Sequence, residues 1–143
     1  MVISQKGEAK AMIPQDLKYT EEHEWVKVLD DGVALVGITD FAQEQLGDIV
    51  FVELPEVGVS FKQHDLLGTV ESVKTVSDMF TPVSGEVIEV NPILSEDNEG
   101  FAPEIINQDA YGQGWIAKIK MSDVSELENL LDAAAYKKIT EEA

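Results

Sequence analysis

Val70-Glu71-Ser72-Val73-Lys74-Thr75-Val76-Ser77-Asp78-Met79-Phe80-Thr81-Pro82-Val83-Ser84-Gly85 is the stretch whose reading decides the fold. Two arms rich in β-branched residues flank a short middle that holds one lysine. Alternation and β-branching favour strands on both sides. Gly68 precedes the first arm, and Pro82 and Gly85 punctuate the second before the strand-like run Glu86–Val90. The pattern predicts a β-hairpin with Lys74 at or near its tip. A lysine on a tight turn has two readings. It is a solvated surface side chain, as most lysines are, or its flexible amine is the root of a covalent arm. Periodicity and spacing leave both open.

Outward from this hairpin, short strands continue in both directions. On the N-terminal side, Trp25–Leu29 and Val33–Ile38 read as strands joined by the Asp30-Asp31-Gly32 turn. Thr39–Leu46 reads as a short helix with Thr39 or Asp40 as its cap, ended by Gly47. Asp48–Leu54 is a strand stopped by Pro55, and Leu66–Val70 leads into the hairpin. On the C-terminal side, Gly85–Val90 is a strand ended by Asn91-Pro92, and Ile93-Leu94 opens a helical turn. Ser95–Gly100 is loop-like. Trp115–Lys120 alternates as a strand. The period then changes: Val124, Leu127, Leu130-Leu131 and Ala134 recur at helical spacing, with Ser122 or Ser125 as a cap and Asp132 capping a second helix through Tyr136. Residues 1–18 read as an N-terminal tail or extension in which Met12, Ile13 and Leu17 can pack. Residues 19–143 read as one domain. At least six short strands and terminal helices predict a mainly β sandwich or barrel-like body.

Composition narrows the function classes. The chain of 143 residues has no cysteine, which excludes disulfides, zinc–thiolate sites and a cysteine nucleophile. Any redox sulfur must come from a cofactor. The net charge is −18 and the ten basic residues are all lysine. Neutralising phosphates requires clustered Lys and Arg, so nucleic acid and anionic membranes are disfavoured partners. Acidity favours basic protein surfaces instead. No window approaches the ~20 apolar residues of a membrane helix. With no leader-like segment, a bacterial-type cytoplasm is the expected location, or the mitochondrial matrix in a eukaryote. The two histidines, His23 and His64, lack a spaced ligand cluster, so no metal site is expected. Asp109–Trp115 is glycine-rich but has neither a P-loop ending nor Rossmann spacing.

Several ordered motifs carry a resemblance. Glu71-Ser72-Val73-Lys74, then Ser77-Asp78 and Pro82–Val87, look like the lipoyl-lysine segment of the glycine cleavage system H-protein family. His23–Val26, Gly37–Ala42, Leu46–Val50, Leu54–Gly58, and Asn107 with Tyr111-Gly112 and Gly114-Trp115 follow in the family's order. The match runs from about Tyr19 to Tyr136. Ala110 stands where the family usually has proline.

The resemblance implies a lipoyl/biotinyl-domain-like barrel-sandwich hybrid with added C-terminal helices. It implies a carrier without turnover of its own, with lipoate in amide linkage on Lys74. The expected partners are a pyridoxal-phosphate glycine decarboxylase, a tetrahydrofolate-dependent aminomethyltransferase and a dihydrolipoyl dehydrogenase. A lipoate ligase or lipoyl/octanoyl transferase would load the arm. An aminomethyl group would pass between the first two partners, and reducing equivalents to the third. His23, Glu24, Glu71 and Asp78 are expected to line a cleft for the arm or a docking surface. Two alternatives stand beside this: a carrier or relay for another lipoyl system, and an unmodified β binding domain. The tip sequence Val73-Lys74-Thr75 differs from the Asp-Lys-Ala of 2-oxoacid dehydrogenase lipoyl domains and the Met-Lys-Met of biotin carriers.

Overall fold

The computed structural model describes residues 13–142. In chain order the elements are β1 (Lys18–Tyr19), β2 (Glu24–Val28), β3 (Val33–Ile38), α1 (Asp40–Leu46), β4 (Ile49–Glu53) and β5 (Ser60–Phe61). They continue with β6 (Leu66–Ser72), β7 (Val76–Phe80), β8 (Gly85–Val90), α2 (Ile105–Gln108), β9 (Ala117–Met121) and α3 (Ala133–Glu142). Two antiparallel sheets result, a larger one ordered β1-β2-β3-β9-β8-β5 and a smaller one ordered β4-β6-β7.

Alternation turns one face of each sheet inward. Ala117, Ile119 and Met121 of β9 are buried, while Lys118 and Lys120 face outward and Lys118 pairs with Glu89 at 3.1 Å. Val52 of β4, Val70 of β6 and Met79 of β7 meet them from the smaller sheet, and α1 and α2 close the rim with Leu46 and Ile106. This is the mainly β, lipoyl-domain-like barrel-sandwich hybrid that the family resemblance implied.

β2 departs from simple alternation: Glu24, Trp25 and Val26 are all buried. Val26 enters the sandwich core, whereas Trp25 points to the opposite face. There it joins Leu17, Tyr19, Ala133 and Tyr136 in a second apolar cluster beneath α3. Gly37 lies directly opposite Trp25 in the β2–β3 register, and a Cβ on Gly37 would come within 2.8 Å of the indole. Only glycine leaves room for the ring. Trp25 Nε1–H donates to the carbonyl of Ala110 at 3.1 Å, so the residue standing where proline was expected still supplies the acceptor.

Two expectations need correction. Leu17 packs as expected, but Lys18 already belongs to β1, so the folded body begins before residue 19. Met12 lies outside the described residues. The apolar period from Val124 to Ala134 does not form one helix. Val124–Asn129 is a 3₁₀ helix capped by Asp123, not by Ser122 or Ser125, and Val124 is exposed. Leu131 then runs extended and exchanges both backbone hydrogen bonds with Tyr19 at 2.8 Å. That pairing with the sheet edge outweighs continuation of the helix and blunts the edge. Asp132 does cap α3, accepting from Ala135 N–H at 2.8 Å.

Candidate functional site

The β6–β7 hairpin places Glu71 opposite Val76 and leaves Val73, Lys74 and Thr75 to turn the chain. Ser72 holds this tip. Its hydroxyl accepts from Lys74 N–H at 3.3 Å and Thr75 N–H at 3.1 Å, and it donates to the Thr75 carbonyl at 3.2 Å. Ser72 N–H also donates to that carbonyl at 2.8 Å, and Val73 N–H reaches the Asp48 carbonyl beside β4 at 3.0 Å. The turn is thus fixed from within and from the neighbouring strand. The Lys74 side chain is exposed and makes no hydrogen bond or ion pair with any described residue. A fixed root with a free amine is the arrangement an attached arm requires.

The stem of Lys74 runs over the end of α1. Its Cε lies 3.6 Å from where a Cβ on Gly47 would stand. Gly47 closes α1 with φ +84° and ψ −157°, a conformation essentially reserved for glycine. Two side chains hold α1 itself. Thr39 caps its start, accepting from Ala42 N–H at 3.2 Å. Asn107 of α2 ties its end to β4, donating to Gln43 Oε1 at 2.7 Å and to the Gly47 carbonyl at 2.9 Å, while its own oxygen accepts from Ile49 N–H at 2.9 Å.

Between α1 and the β7 edge lies a cleft of about 300 Å³. Ile38, Phe41, Ala42, Leu46 and Val70 give it apolar walls. Leu46, which lines the cleft, is the residue before Gly47, beside which the Lys74 stem lies. Glu22, His23, Glu24 and Asp78 supply its polar groups. The apolar walls suit a hydrocarbon arm rooted on Lys74, and the carboxylates suit an amine carried at its end.

Glu24 is only 2% exposed, and its carboxylate spans the two sheets. Oε1 accepts from Thr20 Oγ1 at 2.5 Å, and Oε2 accepts from Phe80 N–H at the end of β7 at 3.1 Å. Burial pushes its carboxyl up to about 7, although both hydrogen bonds favour the charged form. His23 sits at φ +72°, in the left-handed region, between a turn closed onto the Thr20 carbonyl and the Thr39 N–H that bonds its own carbonyl. Burial lowers its ring below the usual imidazole range, opposed by Glu22.

The expected site residues therefore separate. Lys74 is at the tip, and His23, Glu24 and Asp78 line one cleft. Glu71 does not enter it; it is exposed on the outer face of the smaller sheet, between Phe51 and Val76. His64 lines a different hollow with Tyr19, Phe80 and Leu130. Sequence reasoning missed Ser72, Gly47 and Asn107 as supports. Ser72 lies two residues from Lys74, a spacing at which a serine hydroxyl reaches turn amides. Asn107 belongs to the late motif, but its support of α1 is not legible there, because it meets α1 only in the folded chain.

A model of the glycine cleavage H-protein family matches residues 17–143. The chain belongs to the glycine cleavage H-protein family. Among the relatives of this H-family chain, the glycine cleavage system H protein of Symbiobacterium thermophilum is 58% identical over 132 residues, 92% of this chain and 98% of that protein. The H protein of Chlorobium limicola is 57% identical over 128 residues, 89% of this chain and 96% of its own length. The crystal structure of the glycine cleavage system H protein from Mycobacterium marinum superposes with a TM-score of 0.77 at 43% identity, covering 88% of this chain and 97% of that one. Membership in the H family makes the chain a component of the glycine cleavage system by kind. Among the described residues, no helix is long and apolar enough to cross a membrane.

Proposed function

We propose that this H-family chain is a lipoyl carrier whose arm is rooted on Lys74 and rests in the cleft between α1 and β7. The observation that carries this reading is the exposed, unpartnered Lys74 on a braced hairpin tip, with its stem beside Gly47 at the end of α1. When bound, lipoate supplies a dithiolane that takes up an aminomethyl group and two electrons; the redox chemistry is the cofactor's and the placement is the protein's. Ser72 and Asp48 hold the root, so partners meet the arm at a fixed point. Ile38, Phe41 and Leu46 exclude water from the arm's resting place, and Glu22, Glu24 and Asp78 offer acceptors to an amine.

The carrier receives its cargo from a pyridoxal-phosphate glycine decarboxylase and presents it to a tetrahydrofolate-dependent aminomethyltransferase. It then delivers reducing equivalents to a dihydrolipoyl dehydrogenase. A lipoate ligase or a lipoyl/octanoyl transferase loads Lys74. Tethering raises the arm's local concentration at each partner without new contacts. The cytoplasm, or a mitochondrial matrix, is the compartment where these partners meet.

Intact mass and peptide mapping after incubation with lipoate, ATP and a lipoate ligase test the assignment. One lipoyl group is expected on Lys74, and none on Lys74→Arg, whose charge and exposure leave the fold intact. Support of glycine cleavage in a reconstituted system should vanish with the modification. A folded, unmodified Lys74→Arg protein that still supports the reaction overturns the carrier reading.

A further inference from the structure

Through Tyr136, α3 touches a residue that lines the cleft. The residue is fully buried, and its ring stacks on Tyr19 with centroids 4.7 Å apart and planes 6° from parallel. Its hydroxyl lies 2.6 Å from Thr39 Oγ1 and 2.8 Å from His23 Nδ1. One phenol from the C-terminal helix thus touches both the cap of α1 and a residue lining the cleft.

The direction of these bonds follows from counting protons. Thr39 Oγ1 already accepts from Ala42 N–H, so its own proton needs an acceptor, and the Tyr136 oxygen is the one in reach. The Tyr136 proton then goes to His23 Nδ1. A neutral imidazole that accepts at Nδ1 carries its proton on Nε2. Burial favours the neutral form of this ring. The ring is also held against Phe41, with centroids 4.8 Å apart. Among the described residues no buried side-chain nitrogen or oxygen lacks a partner, so Nε2, which has none, is not sealed inside the protein. His23 is one of the residues that line the cleft.

We propose that Tyr136 is a positioning residue that fixes the ring and tautomer of His23, so that an Nε2–H donor stands in the cleft and the C-terminal helix is coupled to the arm housed there. The inference rests on the reading of the cleft as the resting place of the arm. The backbone strain at His23 accords with it. A bulky residue at φ +72° persists where its surroundings over-determine it, and the bonds to Tyr136 and Thr39 do so here.

Tyr136→Phe removes the hydroxyl and keeps the ring stack with Tyr19, and the test has two arms. In the first, ¹⁵N-histidine NMR of the unmodified protein at pH 8 reads the tautomer directly. The wild type should show His23 protonated on Nε2. In Tyr136→Phe the two ring nitrogens should shift toward each other as both tautomers become populated. An unchanged pattern in folded Tyr136→Phe overturns the proposal. In the second arm, the lifetime of the amine-loaded, lipoylated protein is measured. Tyr136→Phe and His23→Asn, a residue that tolerates positive φ, should each shorten it three- to tenfold. The double variant should be no worse than either single one, because both act through the same donor. Losses that multiply in the double variant refute coupling through His23. Failure of Lys74 to accept lipoate sinks the carrier reading instead and leaves the NMR arm standing.

Discussion

Replacing Glu24 by glutamine isolates the energetic cost of a carboxylate held between the two sheets. In the folded protein its carboxyl titrates at about 7, against 4.5 for the unperturbed group, because burial disfavours the charge. At 1.36 kcal/mol per pH unit this difference corresponds to about 3 kcal/mol. The sign follows from proton counting. Between pH 4.5 and 7 the folded protein holds a proton that the unfolded chain has released. Stability from this group is therefore complete below about pH 4.5 and is lost as pH rises through 7. Glutamine is neutral throughout and can keep both contacts. Its oxygen accepts from Phe80 N–H, and its amide donates to Thr20 Oγ1 after the hydroxyl turns. Urea unfolding of both proteins at a series of pH values from 4.5 to 8 cancels the titration of the other carboxylates. Relative to wild type, Glu24→Gln should gain about 3 kcal/mol across that range. Parallel stability curves, with a difference that does not change with pH, would refute the reasoning that a desolvated charge sits at this position.

Further outcomes follow from the hairpin and its support. Ser72→Ala leaves Lys74 N–H and Thr75 N–H without their acceptor and should cost about 1–2 kcal/mol. Amide exchange at those two positions should accelerate while the rest of β6 and β7 stays protected. Gly47→Ala should cost about 1–3 kcal/mol in chemical denaturation, because the backbone there lies where side chains are strained. Its new Cβ would meet Lys74 Cε at an ordinary 3.6 Å, so lipoylation of Lys74 should proceed at close to the normal extent.

Much of the fold was legible because its signals are local. The hairpin around Lys74, the Asp30–Gly32 turn and the Thr39-capped helix each follow from residues within a few positions of one another. The C-terminal segment was misread for the same reason. The spacing of Val124, Leu127 and Leu131 satisfies a helix, but the backbone of Leu131 is claimed by Tyr19, 112 positions earlier in the chain. The cleft was half legible. Glu22–Glu24 and Asp78 are close only once β2 and β7 are brought together by Glu24 and Phe80 N–H. Glu71 shares the motif of Lys74, yet the pleat turns it to the outer face, away from the cleft.

The sequence by itself determined the lysine, the turn that presents it and the strands on either side, since alternation, β-branching and turn chemistry act over short distances. The tertiary structure alone decided the environment of that lysine. Asn107 sets where α1 ends, Gly47 lets the lysine stem cross it, and burial between two sheets raises the carboxyl of Glu24. Tyr136 reaches His23 across 113 residues of chain. Desolvation and hydrogen bonding depend on what the folded chain places nearby, and no local pattern encodes them.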